Sequence, residues 1–555
     1  MKRLPIGLQT FSHVINDGHV YADKTRYIRD MANQGKFFFL SRPRRFGKSL
    51  LVDTMKEAFS GNRDLFEGLD LARSDFDFTT RPVIRLDMSR IDLSDRASLR
   101  SGVLYLLSTI AEDENVTMAT VNPAIALQDL ISRLHRKTGQ RVVVLIDEYD
   151  RPIIEHLARP ELAEENRAEL RSLYGVLKGM DADLHFVFLT GVSKFTRTSI
   201  FSQLNNLTDI SLDQRYANIC GFTEQEFDAL FSEHLAHVVE SHHQHGDPDA
   251  GTVSVRDEIF TWYDGYSWDG IARVFNPFSL LKFFDAQEFY PYWYTSGVPQ
   301  FLARHLKDNP CVYTDLENTE ITEVLLDSHD IEQASLESLL FQTGFLTVKS
   351  ADRLQRPTSY RLGFPNLEVS QSFSGWFLDT VGDDPATVQT MTARLRKALN
   401  EGHPEDLEEC LAGLFAAIPY TRLSREENEL ARYPETIEGV DWWNQEHNLH
   451  LKAEAFYHAI LLAVLRTLGF RVTGEQSAID ATIDTVTGQS YVVEMKYVAL
   501  DAGADPAEAL GRATAEALDQ IAARHYADRY RGSTRSVHLV GIAVAGHGHV
   551  RVATS

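Results

Sequence analysis

The sequence predicts an α/β chain of two unequal parts: a larger N-terminal unit built on a parallel sheet, and a smaller α/β unit at the C-terminus. Three observations predict it. Short apolar runs alternate with helical stretches over residues 1–222, the pattern of strands that pair in parallel and are covered on both faces. A Gly-Lys-Ser turn follows the first of those runs, and a pair of carboxylates ends the third. Far downstream, a strand-like run carries Glu494 and Lys496 two positions apart, just after another run that ends in Asp484.

The elements follow in order. Lys36–Leu40 (KFFFL) reads as a buried strand and a helix begins near Lys48. Val83–Met88, Val142–Asp147 and Leu184–Thr190 read as three more strands, with a helix over Glu161–Gly179. From Thr223 the chain turns helical and aromatic (FTEQEFDALF, WYDGYSW, FNPFSLLKFF), which predicts a helical lid over 223–335. Residues 336–369 read as a helix, a strand, a polar turn and a strand, the order of a winged-helix-like module. Its wing could touch nucleic acid; packing against a neighbouring domain is the favoured use. Ser370–Ala417 reads as amphipathic helix within a linker region, 370–445, and the charged, loop-like Ser424–Asn448 marks the last boundary. Residues 446–555 form the closing α/β unit.

Composition narrows the class. A chain of 555 residues exceeds one core, and 43% hydrophobic content excludes wholesale disorder. The net charge of −24 repels a polyanion on average, so any nucleic acid must meet a local basic groove or bridging metal ions. Cys220, Cys311 and Cys410 are scattered, with neither metal-ligand spacing nor a disulfide framework, which predicts a reducing, cytoplasmic compartment. No apolar run follows the basic N-terminal residues, so no signal peptide is expected. The apolar stretch AFYHAILLAVLRTLGF is short and holds Arg466; it reads as a buried helix, and no membrane is expected as a partner.

Two clusters carry chemistry. In Ser41-Arg-Pro-Arg-Arg-Phe-Gly-Lys-Ser49 a loop joins a strand to a helix, where backbone N–H groups and the helix N-terminus face an anion. Gly47 lets the backbone approach closely, Lys48 reaches the β- and γ-phosphates of ATP, and Ser49 ligates Mg²⁺. The first glycine of the usual phosphate-loop pattern is replaced by Arg42. Arg42, Arg44 and Arg45 face the nucleotide, a neighbouring subunit or solvent. Asp147, ending an apolar strand, would hold the Mg²⁺ shell, and Glu148 would polarise the attacking water. Ser193, after the fourth strand, either senses the γ-phosphate or caps a turn. In the second cluster Glu494 and Lys496 share one face of a strand. With Asp484 on the neighbouring strand they would hold Mg²⁺, or Mn²⁺, and position water for cutting a phosphodiester in DNA or RNA. Glu454 lies on the helix before these strands and Gln520 on the helix after them.

The runs VYADKTRYI, SRPRRFGKS, LIDEYD, LTGVSKF, SIFSQLNNLTDISLD and NPFSLLKFF together resemble the AAA-ATPase-like family of bacterial proteins, over nearly the whole chain. The resemblance implies a P-loop ATPase of the additional-strand class, commonly fused to a PD-(D/E)xK nuclease-like domain. It makes Arg42 a family feature, since that loop also reads R-P-R-R-x-G-K-S. In the fused domain the first helix carries a glutamate, here Glu454, which joins Asp484 and Glu494 as a metal ligand. The last helix carries Q-I-x-x-x-x-Y, here Gln520, Ile521 and Tyr526. Glu475 resembles a glutamate of the first core strand. The family's Gly-Arg-Ile-Asp is replaced by Ala481-Thr-Ile-Asp484, which keeps the acid and loses the arginine. Asp23 and Lys24 match a family motif whose role the residues do not reveal. The expectation is an ATP-controlled nuclease, by family analogy in bacterial defence or mobile-element biology, with a homo-oligomer able to complete the ATP site. The alternative is an ATP-dependent switch carrying a catalytically silent nuclease fold. A helicase-type motor ranks last, because no second motor domain is visible.

Overall fold

The structure is a computed structural model. It describes residues 1–118, 122–156, 159–194, 206–244, 251–293, 313, 316–317, 319–326, 335–403, 406–418, 442–469, 471–475, 479–485, 487–500, 505–523, 535–545 and 549–555, with the backbone alone for 442–453, 471–475 and 479–480. The chain divides into two compact units, Met1–Ser296 with Asn318–Glu368, and Gly297–Glu317 with Val369–Ser555.

The first unit is built on strands β1 (Phe37–Ser41), β2 (Val83–Asp87), β3 (Val142–Asp147), β4 (Leu184–Gly191) and the two-residue β5 (Thr208–Asp209). All pair in parallel, in the order β2-β3-β4-β1-β5. Strand β4 is therefore inserted between the strand that leads into the loop and the strand that ends in Asp147, which is the additional-strand arrangement. β3 is buried along its whole length, as its unbroken apolar run requires. Helices Pro123–Thr138 and Pro160–Gly179 cover it with Leu127, Leu130, Leu170 and Leu173.

The lid is helical, with Glu224–Gln244, Thr252–Tyr263 and Pro277–Ala286. Its core is aromatic: Phe231 stacks on Phe284 at 5.0 Å and Phe227 on Phe275 at 5.2 Å. Helix Leu336–Thr343 and the hairpin of β7 (Thr347–Asp352) and β8 (Ser359–Gly363) follow, and short β6 (Thr319–Thr322) pairs with β8. The hairpin packs on the lid: Thr347 exchanges hydrogen bonds with Ser267, and Arg353 donates to the Asp269 carbonyl.

The second unit holds β9 (Arg471–Glu475), β10 (Ile479–Asp484), β11 (Gln489–Val498), β12 (Ser536–Ala545) and β13 (His549–Thr554), in the order β13-β12-β11-β10-β9. β11 and β12 are parallel and the remaining pairs antiparallel. Helix Pro506–Ala523 makes the crossover that a parallel pair needs. Helix Trp442–Thr467, strands β9, β10 and β11, and helix Pro506–Ala523 follow the order of the PD-(D/E)xK core, and β12 and β13 complete the sheet.

Two boundaries are corrected. Helices Pro385–Glu401 and Leu407–Ala417, read as part of a linker region over 370–445, are bonded into the C-terminal sheet. Tyr491 Oη donates to the Leu399 carbonyl at 2.7 Å, Thr487 Oγ1 to the Asn400 carbonyl at 2.8 Å, and Val552 N to Glu408 at 2.9 Å. The first helix of the closing α/β unit begins at Trp442, inside the stretch read as loop; residues 424–441 lie outside the described residues. Among the described residues no helix is long and apolar enough to cross a membrane.

Candidate nucleotide and nuclease-type sites

The loop between β1 and helix Lys48–Phe59 opens into a cavity of about 570 Å³ in the first unit. Arg44, Arg45, Gly47, Lys48 and Ser49 line one side, and Glu148, Asp150 and Arg151 another. The N-terminal segment contributes Leu8, Val20 and Tyr21, and the lid contributes Phe222, Phe278 and Leu281. The loop is held in an uncommon backbone path. Gly47 has φ +84°, where a side chain would be strained, and Arg45 sits at φ 68° without that licence. Glu148 is a third such residue, at φ 54°. Backbone strain of this kind gathers at functional sites.

The expected residues converge. The Ser49 side chain lies by the Asp147 carboxylate and opposes the upward push of burial on its pKa. Lys48 is buried beside them, and its ammonium donates to the Arg42 and Pro43 carbonyls, both at 2.9 Å. Burial pushes the Lys48 pKa down, opposed by the fields of Asp147 and Glu148. Burial also pushes both carboxylates up, opposed for Glu148 by Lys48 and for Asp147 by Ser49 and Lys48. The donor set fits Mg²⁺: an alcohol and a carboxylate side by side, next to a cation that can meet phosphate.

The arginines separate by role. Arg42 is fully buried and donates to the carbonyls of Ser41 (2.9 Å), Ser211 (2.8 Å) and Tyr216 (3.2 Å), with its guanidinium 4.0 Å from the Trp268 ring centre. It ties the loop to the following segment and faces neither nucleotide nor solvent. Arg45 lies 3.9 Å from the ring centre of Phe278, and Arg44 is exposed at the cavity.

Ser193 is in the turn-fixing role. Its hydroxyl donates to buried Asp150 at 2.8 Å, and Asp150 also accepts from the backbone N–H groups of Ser193 and Val192, at 2.7 and 3.1 Å. Sequence reasoning passed over Thr190. It pairs with Leu40 of β1, and the β3–β4 register, continued one step past Ile146–Leu189, sets it beside Asp147. Its hydroxyl is buried and has no hydrogen-bond partner among the described residues. The signal for it was the end of the strand inserted between loop and carboxylate.

In the second unit the expected triad does not form. Glu494, 3% exposed, accepts from Lys496 Nζ at 3.0 Å. The antiparallel register, however, pairs Asp484 with Ser490, and Ala481 with Val493. Asp484 shares the face of Glu494 but stands four residues along, about 13 Å at the usual rise, far beyond a shared metal ion. Its side chain accepts from the Ser490 hydroxyl at 2.6 Å, and Arg535 lies 3.8 Å away. The same register, carried one step beyond Ala481–Val493, sets Asp480 opposite Glu494. Sequence reasoning missed Asp480 because Ile-Asp occurs twice, at 479–480 and 483–484, and only strand pairing tells them apart.

Glu454 lies three residues before Tyr457, whose ring stacks on Tyr497 at 5.9 Å. Tyr497 alternates with Lys496, so this contact anchors the helix against the face opposite Glu494 and Lys496. Helix Pro506–Ala523, which carries half-buried Gln520, covers the Glu494 face, where Ile521 packs with Val492. Tyr526 lies outside the described residues. Among the described residues no three His, Cys, Asp or Glu side chains gather as a metal-ligand group.

Comparison with known sequences falls on the same two regions. The model of a family described as predicted AAA-ATPase matches residues 5–201, and one described as PD-(D/E)XK nuclease superfamily matches residues 452–554. A protein of Azotobacter chroococcum mcd 1, described as an uncharacterized protein in the vnfD 5′ region, is 36% identical over 546 residues, covering 98% of this chain and 96% of its own. Among solved structures, the ORC2 protein of Aeropyrum pernix (ADPNP–ADP complexes) aligns with 64% of this chain and 93% of its own, at 10% identity and a TM-score of 0.27. Drosophila ORC bound to poly(dA/dT) DNA and Cdc6 aligns with 83% and 69%, at 11% identity and a TM-score of 0.21. Overlaps at such scores carry no argument.

Proposed function

This chain belongs to the family of predicted AAA-ATPases that carry a C-terminal domain of the PD-(D/E)XK nuclease superfamily, and on that premise we propose that it is an ATP hydrolase whose nucleotide state controls a Mg²⁺-dependent nuclease acting on DNA or RNA. The observation that carries the first half is the convergence of Ser49, Asp147 and Glu148 on buried Lys48, whose ammonium the loop carbonyls hold at the cavity wall. Ser49 and Asp147 would hold Mg²⁺, which when bound supplies charge neutralisation at the phosphates. Lys48 would exchange its two carbonyl partners for phosphate oxygens. Glu148 orients and deprotonates the attacking water, and Thr190 offers its hydroxyl to the γ-phosphate.

In the nuclease domain Asp480 and Glu494 would hold Mg²⁺ or Mn²⁺, with Lys496 positioning water. Asp484 is reassigned to holding the hairpin through Ser490. The test uses the full chain with Mn²⁺ and labelled DNA or RNA. Asp480→Ala and Glu494→Ala abolish cutting, whereas Asp484→Ala keeps it within about tenfold. Equal loss in Asp480→Ala and Asp484→Ala would remove the reassignment.

A second reading has its own support: a silent nuclease fold serving as a scaffold under an ATP switch. It is favoured by the loss of the family arginine, since Ala478 and Thr482 stand before the two Ile-Asp pairs. Titrating Mn²⁺ separates the two readings. Binding that disappears in Glu494→Ala supports the enzyme; no binding in the wild type supports the scaffold.

A further inference from the structure

Asp23 and Lys24 take no part in the chemistry above, yet both are committed to bonds that run in opposite directions. Asp23 faces the short helix Asp70–Arg73. One carboxylate oxygen accepts from the Thr25 backbone (2.9 Å) and hydroxyl (2.6 Å), and the other from the Asp70 backbone at 2.7 Å. Lys24 faces the lid. Its ammonium donates to both oxygens of Glu226, at 2.6 and 2.7 Å, with 11% and 24% of the two side chains exposed.

Glu226 sits in the first turn of the lid helix Glu224–Gln244 and closes a capping box with Thr223. The Thr223 N–H donates to Glu226 at 2.8 Å, and the Glu226 N–H to the Thr223 hydroxyl at 3.2 Å. The residues just before each partner are walls of the nucleotide cavity: Tyr21 and Ala22 on one side, Gly221 and Phe222 on the other, with Lys24 itself at the lining. An ion pair this desolvated is a poor source of stability, since apolar groups of the same volume often do as well. What it supplies is a fixed register between two elements. Burial pushes the Lys24 pKa down, and the Glu226 carboxylate opposes that push.

We infer that Lys24 and Glu226 are positioning residues, a latch that fixes the N-terminal wall of the cavity to the lid helix and so sets the width of the nucleotide site. The inference rests on the nucleotide-site reading. Neither residue touches the groups assigned to hydrolysis, so breaking the latch loosens binding and leaves the chemical step nearly intact.

The test titrates the full chain with a fluorescent ATP analogue and follows steady-state ATP hydrolysis. It compares Lys24→Met, Glu226→Gln, the double variant, the exchange of the two residues and Lys24→Arg, with Lys48→Ala as control. Each single loss is expected to raise Kd and KM about tenfold with kcat within about twofold. The double variant should be no worse than either single, because the two substitutions remove one interaction. Lys24→Arg and the exchanged pair should recover most of the affinity. Unchanged Kd in both single variants, or fully additive losses, overturns the latch. So does a collapse of kcat at constant Kd. If Lys24→Met fails to fold, Glu226→Gln and Lys24→Arg carry the same comparison. If the wild type binds no nucleotide, or Lys48→Ala leaves binding and hydrolysis untouched, the nucleotide-site reading itself fails, a result distinct from any of these.

Discussion

At the scale of single residues the two sites differ in how far their letters fix their geometry. Lys48, Ser49, Asp147 and Glu148 meet because a loop and a strand end each have one place to go in this sheet order. Burial raises the Glu148 pKa, and a general base works only when deprotonated. The acid limb of ATP hydrolysis is therefore expected above the ordinary carboxylate range, and Glu148→Gln should bind ATP while losing hydrolysis by about 100-fold or more. A pH–rate profile with nucleotide-binding controls checks both. Asp484 shows the limit of letters. Its chemistry was legible, but a hairpin register moves every facing residue together, and the repeated Ile-Asp left two registers open. Glu368 was not legible at all, since nothing in NLEVS marks a buried acid. It is fully buried, accepts from the Trp293 N–H at 2.8 Å, and has its pKa pushed by burial from the ordinary 4.5 to about 8. The protonated form is the one the fold prefers. Its contribution is thus complete below 4.5 and is lost as pH rises through about 8. Glu368→Gln should unfold at a higher temperature than wild type at pH 8.5, and the difference should vanish near pH 4.5. Thermal scans at the two pH values decide it.

Single side chains also set how whole elements sit. Arg42 stands in a phosphate loop with nucleotide, neighbouring subunit and solvent all open to it from the sequence, because sequence patterns do not report which way a loop side chain turns. Its burial pulls the guanidinium pKa down to about 10, so it stays charged at neutral pH and needs its three carbonyls. Arg42→Met should cost on the order of 3 kcal/mol of stability, because three carbonyls lose a charged donor inside the protein. Equilibrium denaturation measures that loss. The strands and helices themselves were legible to within one or two residues where periodicity was strong, as at Val142–Asp147 and Ile479–Asp484. Close approaches between elements were not. Gly541 of β12 pairs with Glu494, and a Cβ there would meet the Thr514 carbonyl at 2.6 Å. Gly541→Val should force helix Pro506–Ala523 away from β11 and β12. It should lower the stability of the C-terminal unit and disturb Mn²⁺ binding, while nucleotide binding stays at the wild-type value. Paired titrations with Mn²⁺ and the ATP analogue check that separation.

For the whole molecule, the sequence made two chemistries visible but cut the chain in the wrong place. Helices 367–381, 385–401 and 407–417 have ordinary amphipathic patterns, and a pattern tells that one face is buried without telling against what. The hydrogen bonds of Leu399, Asn400 and Glu408 to the C-terminal sheet assign the last two of these helices to the nuclease-type unit. The main boundary therefore falls after Glu368, with Gly297–Glu317 also belonging to the second unit. Two cores that differ in their ligands should unfold in two transitions. A ligand stabilises only the unit that binds it, by about 2.7 kcal/mol at a hundredfold excess over Kd. Calorimetry of the full chain should then show ATP with Mg²⁺ raising one transition and Mn²⁺ alone raising the other. Lys48→Ala should erase the first shift and Glu494→Ala the second. If ATP moved both transitions together in the wild type and neither in Lys48→Ala, nucleotide binding would be stabilising the nuclease unit too, the thermodynamic signature of the proposed control. If ATP moved only its own transition, and cutting of nucleic acid ran at the same rate with and without it, the two activities would share a chain without coupling.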